Sequence, residues 1–282
     1  MKGSLRTLLN EELEADELKL LYTSYDIVGD IAVIRVPEAL ELRTQTIAEA
    51  LLQTQKHVKT VLRQISPVAG NFRLRDLEWI GGEKKTETVY KEFGCLFKVD
   101  LEKCYFSPRL SYERIRIAKL TQPNEVVVNM FAGVGCYSII VARHSCSKII
   151  YSIDINPTAI QFLKENARLN RVEMRVLPIL GDAKETIERS LRHIADRIVM
   201  PLPEKAYEHI ETALLALKSR GGFIHYYDFE HSAKGENVIE KTEKKVSEKL
   251  ETLRTNFDIL SSRLVRTTGP NWHQVALDIK VS

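Results

Sequence analysis

Beyond Tyr105 the chain alternates short β-branched runs with amphipathic stretches, the rhythm of parallel strands joined by helical crossovers. Strands are predicted near 126–130, 148–153, 174–179, 197–200 and 222–227, with helices near 137–144, 157–169, 184–193 and 205–219 between them. A long charged helix, 236–256, precedes two last strands, 258–265 and 272–281. Gly269-Pro270 joins that pair as an antiparallel hairpin at the sheet edge. Residues 1–104 follow no such rhythm. Leu5, Leu8, Leu9 and Leu13 mark an amphipathic helix, Ile27 to Val36 a strand bent at Gly29-Asp30, and Thr46 to Gln55 a second helix. Val58 to Leu62 is a further strand, Gly81-Gly82 punctuates, and Thr86 to Lys91 and Cys95 to Val99 alternate like paired strands. A small α+β domain over 1–104, without a nucleotide loop, is therefore expected to precede a Rossmann-like α/β domain over 105–282.

The carboxyl edge of the second domain carries candidate chemistry. Val126-Val-Val is a buried parallel strand, and Asn129-Met-Phe-Ala-Gly-Val-Gly135 follows it. Gly133 and Gly135 let the backbone turn tightly and approach a ligand with no Cβ in the way. The next apolar run ends in Asp154, whose carboxylate can accept both hydroxyls of a ribose. A glycine pair after a strand is often an ordinary turn, but the strand before it and the acid after it select a nucleoside-bearing cofactor. Dinucleotide sites want a third glycine or alanine, and Ser138, which stands there, does not decide the matter. Asp154-Ile155-Asn156-Pro157 and Gly181-Asp182-Ala183 discriminate better. One acid for a ribose and another for an adenine amino group is a layout that suits S-adenosylmethionine. Asp182 could instead serve as a helix N-cap. The added edge strand points the same way, to a class I methyltransferase fold with its ligand where the strand order reverses.

Composition narrows the class. With 282 residues and 44% apolar content the chain can bury a substantial core. No apolar run reaches the roughly 20 residues that span a bilayer, and no leader-like start is seen, so a cytoplasmic protein without membrane contact is expected. Cys95, Cys104, Cys136 and Cys146 show neither a CxxC pair nor a histidine spacing for zinc, so reduced thiols and no metal are expected. Cys136, beside the glycine loop, has no base placed near it and reads as packing. A net charge of +3 neither requires nor excludes nucleic acid. Arg109, Arg114, Arg116 and Lys119, with Arg73 and Arg75 upstream, suit either a solvated helix face or a phosphate-binding surface.

Four ordered segments carry a resemblance: Tyr105-Phe-Ser-Pro-Arg-Leu-Ser-Tyr-Glu-Arg114, Met130-Phe-Ala-Gly-Val-Gly135, Asp154-Ile-Asn-Pro157 and Asp196-Arg-Ile-Val-Met-Pro-Leu-Pro203. Together they resemble the archaeal and eukaryotic tRNA (guanine-37-N1)-methyltransferase family. A sister group of that family, in wybutosine synthesis, transfers an aminocarboxypropyl group from the same cofactor. Tyr25-Asp-Ile-Val-Gly-Asp-Ile-Ala32 and Gly70-Asn-Phe-Arg73 look like the family's middle domain, so the resemblance covers nearly the whole chain. Three departures stand out. The family's first domain, which probes the outer corner of tRNA, is expected to be missing, and tertiary tRNA shape then matters less. Asn129 stands where the family has aspartate, and Pro201 where it has asparagine.

The resemblance implies S-adenosylmethionine as cofactor, the tRNA anticodon stem-loop as partner, a monomer, and N1 of guanosine 37 as acceptor. Guanine N1 is protonated at neutral pH, so a carboxylate must take the proton and a cation must meet the charge left on O6. The resemblance puts the base on Glu113 and the O6 donor on Arg73. It puts the cofactor site on Tyr105, Arg109, Arg114, Phe131, Gly133, Gly135, Asp154, Ile155, Asp182, Ala183 and Pro201. Arg109 and Glu113, four apart, could instead form a helical ion pair. Tyr105 could pack on the cofactor, on the splayed base or in a core. Trp272 and His273 could line the site, although a buried structural pair is the plainer expectation. Pro201 offers no amide to a guanine edge, and a pocket so relaxed could admit the tricyclic wyosine precursor for methylation at C7. Aminocarboxypropyl transfer and non-catalytic RNA binding are the alternatives.

Overall fold

The computed structural model describes residues 5–282. The chain divides into two compact units between Leu110 and Ser111.

The first unit opens with α1 (Leu5–Leu9) and α2 (Ala15–Leu20). Leu5, Leu9 and Leu13 are buried while Leu8 reaches the surface, so the apolar stripe outlasts the first helix. The strand bent at Gly29-Asp30 is an antiparallel hairpin of β1 (Tyr25–Val28) and β2 (Ile31–Ile34). After α3 (Thr44–Thr54), β3 (Thr60–Gln64) pairs parallel to β2, and β4 (Leu77–Gly82) pairs antiparallel to β3. Gly81-Gly82, expected to interrupt the chain, instead ends β4. A Cβ on Gly81 would stand 2.9 Å from the Ala48 Cβ, so glycine lets α3 lie close on the sheet. Gly82, at φ +75°, brings its backbone against the Lys59 carbonyl. A separate hairpin, β5 (Glu87–Glu92) and β6 (Cys95–Asp100), follows. Leu9, Ile34, Leu40, Ile47, Leu51 and Val61 fill the core of this unit.

The second unit runs α4 (Ser111–Leu120), β7 (Val126–Asn129), α5 (Cys136–His144), β8 (Ile149–Asp154), α6 (Pro157–Leu169) and β9 (Val176–Leu180). It continues with α7 (Ala183–Ser190), β10 (Arg197–Met200), α8 (Ile210–Ala216), β11 (Gly222–His231), α9 (Val238–Thr252), β12 (Phe257–Gly269) and β13 (Trp272–Val281). The sheet order is β12-β13-β11-β10-β7-β8-β9, with β13 antiparallel to both its neighbours. This is the class I methyltransferase arrangement: five parallel strands and an antiparallel pair at one edge. The order reverses between β7 and β10, where a crevice opens at the carboxyl ends of the strands.

Two elements depart from the pattern. The helix expected over 205–219 contracts to α8, because turns closed on Leu202 and Ala206 occupy the stretch after Pro203. Strands β11 and β12 run further than their apolar runs, since β11 continues through Asp228 and Glu230 and β12 is bulged three times against β13. Val128, Met130, Ile198, Met200, Tyr226 and Leu277 join Ile187, Ile210 and Val246 from the helices in one core. Each such side chain contributes about 1.5–3 kcal/mol when fully buried.

Candidate active site

The glycine loop follows β7 at the carboxyl edge of the sheet, where the strand order reverses. Gly135, at φ +97°, caps α5, and a Cβ there would lie 3.0 Å from both Ile139 and Leu163. Only glycine satisfies that backbone and that packing together. Gly133, at φ +54°, is different: nothing stands within 4 Å of where its Cβ would be. The loop is tied on three sides. Asp154 Oδ2 accepts the Gly133 N–H at 2.6 Å while its Oδ1 accepts the Asn156 N–H at 2.9 Å. Asn166, buried in α6, donates to the Val134 carbonyl at 3.0 Å. Asn129 donates to the Ser138 hydroxyl at 3.1 Å, and Ser152 donates to the same oxygen at 2.7 Å. An aspartate at 129 could not make that donation, so asparagine suits this loop. Burial raises the Asp154 carboxyl, and the backbone amides it accepts oppose the shift.

Asp182 caps α7, its Oδ1 accepting from the Lys184 and Glu185 amides at 2.8 and 3.1 Å. The capping reading is thus realised, and Oδ2 is left over. Ile155 and Pro201 are half-buried on the same rim, and Phe131 meets the His209 ring edge-on at 5.3 Å. The Ala183 side chain lies in the core, so any ligand contact it makes is through its backbone. Cys136 is buried in the first turn of α5.

Glu113, on α4, is 2% exposed. Arg116 shares its Nε–H between both carboxylate oxygens at 3.1 Å and adds a second bond to Oε2 at 2.8 Å. The Tyr227 hydroxyl donates to Oε2 at 2.9 Å. Arg116 also reaches Asp278 at 2.6 Å, Asp278 accepts from His225 at 2.6 Å, and His225 meets Arg197, which forks onto Glu125 at 2.7 and 3.0 Å. A continuous array of charged and polar groups therefore runs from Glu125, just before β7, to Glu113 through three strands and a helix. Arg114, next to Glu113, is buried as well.

The remaining expected residues lie in the first unit. The Arg73 guanidinium sits 4.1 Å over the Tyr105 ring, and Arg73 holds a left-handed backbone at φ +56°. Tyr105 is thus half-buried under a cation, a placement the sequence did not suggest. Arg109 donates to Asp26 at 2.7 Å. The expected Arg109–Glu113 pair is replaced by two others, because Arg109 precedes α4 in a short 3-10 turn. The expected buried pair at the last hairpin also fails: Trp272 is 47% exposed and His273 half-buried.

Residues 88–255 match the TRM5/TYW2 methyltransferase domain, and residues 5–86 the TYW2 N-terminal domain. The chain belongs to the TRM5/TYW2 methyltransferase family. It is 40% identical over 280 residues to the tRNA (guanine(37)-N(1))-methyltransferase Trm5b of Pyrococcus abyssi, covering 99% of this chain and 81% of that protein. It is 38% identical over 263 residues to the tRNA 4-demethylwyosine(37)-methyltransferase Taw21 of Saccharolobus solfataricus, covering 93% and 95%. Among solved structures, it is similar to aTrm5 in complex with tRNALeu, with TM-score 0.87 and 36% identity over 100% of this chain and 79% of that one. It is also similar to Pyrococcus horikoshii TYW2 in complex with MeSAdo, with TM-score 0.81 and 30% identity over 100% and 99%.

The crevice suits the adenosyl cofactor of a TRM5/TYW2 methyltransferase. Gly133 faces open space that a Cβ would fill, and each Asp154 oxygen keeps a lone pair after binding its amide. Asp182 Oδ2 offers a further acceptor. Arg116, expected on a solvated helix face or a phosphate-binding surface, instead pairs with Glu113 and Asp278. His225, Tyr227 and Asp278 escaped sequence reasoning. Their one signal was polarity inside apolar strand runs, as with Asp278 between Leu277 and Ile279.

Proposed function

We propose that this chain is a monomeric, cytoplasmic enzyme that binds the tRNA anticodon stem-loop and methylates N1 of guanosine 37, with S-adenosylmethionine as donor. One observation carries the reading. The Tyr227 hydroxyl holds Glu113 at 2.9 Å while its ring meets Tyr137, on the helix that starts at the glycine loop, at 6.0 Å. A buried carboxylate is thereby anchored beside the cofactor end of the sheet.

Bound S-adenosylmethionine supplies an electrophilic methyl on a sulfonium leaving group. Glu113 is assigned the N1 proton of the guanine. Its Oε2 is occupied by Arg116 and Tyr227, whereas Oε1 has a shared Arg116 bond at 3.1 Å and the Arg263 guanidinium 3.8 Å away, outside hydrogen-bond reach, so Oε1 is the oxygen with an acceptor site to spare. Arg73 is assigned the charge left on O6. A base in an unpaired loop is readily splayed into a pocket.

Pro201 favours a second activity beside the first, methylation of C7 in the tricyclic wyosine precursor. With no N–H and no side-chain amide, it cannot hold the guanine edge as asparagine would. The name of the Saccharolobus solfataricus relative, a 4-demethylwyosine methyltransferase, supports it.

The test uses labelled cofactor with unmodified tRNA and with tRNA carrying the tricyclic base, followed by mass analysis of nucleosides. 1-Methylguanosine at position 37 is the expected product. Methylation of the tricyclic base as well supports the second activity, and methylation of that base alone leaves only the second. An aminocarboxypropyl adduct, or no product, overturns both.

A further inference from the structure

The tip of the β12–β13 hairpin places Trp272 at the carboxyl rim of the sheet, 47% exposed. His231 meets its ring edge-on at 5.4 Å and holds it there. A cavity of about 500 Å³ lies against it, walled by Pro203, Tyr207, Phe229 and Trp272. Asp228 lines the same cavity, although the residue is 4% exposed. Its Oδ2 accepts from the Tyr226 hydroxyl at 2.6 Å and from Lys245 at 2.9 Å. Its Oδ1 has no protein partner among the described residues. That oxygen belongs to a residue lining the cavity, where it can accept a donor from a ligand.

The walls state what that ligand is. Tyr207, Phe229 and Trp272 give the cavity aromatic walls suited to a flat ring, Trp272 being the one with an exposed ring, and Asp228 can accept an N–H from the edge of such a ring. Glu204 and Glu208 also border the cavity, and with Asp228 they outnumber its one lysine, Lys245, which is already paired with Asp228, so the lining disfavours a phosphate. A nucleobase, not a nucleic-acid backbone, meets all three conditions. Pro203 belongs to the segment that leaves β10 at the reversal of strand order, so the cavity opens on the rim where the reacting base must lie.

Resting on the reading that this chain modifies residue 37 of tRNA, we propose that the cavity is a subsite for a second, unpaired nucleobase flanking residue 37 in the same loop. That base stacks on Trp272 and donates to Asp228.

The chain has two tryptophans, so in a Trp79→Phe protein the fluorescence reports on Trp272 alone. Anticodon stem-loop RNAs, intact or made abasic at single positions flanking 37, are titrated into it. Intact RNA is expected to quench Trp272, and one abasic position to remove the quench and weaken binding roughly ten-fold. Trp272→Ala in the wild-type background, its fold checked by thermal unfolding, is expected to lose the same factor. Combining it with that abasic RNA should lose no more, and Trp272→Phe should restore most of the loss. Absence of quenching by intact RNA overturns the proposal. So do losses that simply multiply at every flanking position. Methylation of full-length tRNA is followed in parallel. Turnover without coupling removes the subsite alone, whereas no turnover removes the functional reading beneath it.

Discussion

His225 donates its Nδ1–H to Asp278 across 2.6 Å, and its tautomer is forced. Arg197 has donors only and points one at Nε2 from 2.6 Å, so that nitrogen is the acceptor. Burial pushes the imidazole down, the Asp278 hydrogen bond pulls it part-way back, and the Arg197 charge opposes protonation, leaving it at about 4. Burial alone would raise Asp278. Its bonds with His225 and Arg116 win, and hold it well below the usual carboxylate range. At neutral pH the array therefore carries a neutral imidazole between ionised partners.

Stability should fall on mild acidification. An imidazole exposed by unfolding protonates near 6.5, whereas the folded one resists to about 4. Between those values the unfolded chain binds the extra proton, so stability present above 6.5 declines as pH drops and levels off below 4. The loss from this group is on the order of 3 kcal/mol. Asp278 adds its own loss only at still lower pH. Denaturant titrations of the wild type and of His225→Asn, which keeps a donor for Asp278, should show a shallower slope in the variant. Equal slopes would place the effect elsewhere.

Glu113→Gln should lower turnover roughly 10²–10⁴-fold, the usual contribution of a general base, because the amide cannot take the N1 proton. Cofactor affinity, read by calorimetry, should change little. Wild-type turnover in this variant would remove Glu113 as the base.

The two loop glycines should separate stability from ligand binding. Gly135→Ala forces a left-handed backbone and contacts at 3.0 Å with Ile139 and Leu163, costing about 1–3 kcal/mol in thermal unfolding without ligand. Gly133→Ala meets nothing and costs about 1–2 kcal/mol through its backbone alone. Its added methyl should nonetheless reduce cofactor affinity. Unchanged affinity in Gly133→Ala would mean the cofactor does not approach that loop.

Asp182→Asn should keep the helix cap, since asparagine caps about as well as aspartate. It replaces the spare oxygen with an N–H₂ donor, which would oppose an adenine amino group. Unfolding should move by less than about 0.5 kcal/mol, while cofactor binding weakens roughly ten-fold. Loss of stability without loss of affinity would reduce Asp182 to a cap.

Fold and site differed in how far the chain itself disclosed them. Val126–Val128 and Ile149–Ile153 were plain because strands covered on both faces are mostly apolar, Ser152 being the exception. Strand β4 was not, since Leu77–Gly82 carries a glutamate and two glycines and packs through the absence of side chains. Gly133, Gly135 and Asp154 were visible as glycine and acid at strand ends. That Asp154 also pins Gly133 needed coordinates, because the bond joins residues from two different crossovers. The array behind Glu113 was hidden for the same reason. His225 faces Asp278 only because β11 and β13 pair in that register, across a gap of 53 positions.

Strand β13 lies between β11 and β12, yet it is synthesised after both. A nascent chain emerging from the ribosome must hold β11 with a bare edge until residue 281 has been made, which exposes a ten-residue ladder to mispairing. Arg116 has no Asp278 to grip during that interval. Assembly of the buried ion-pair array is thereby deferred to one late zippering event, and an unfinished polypeptide carries Glu113 and Arg116 without the Asp278 end of that array.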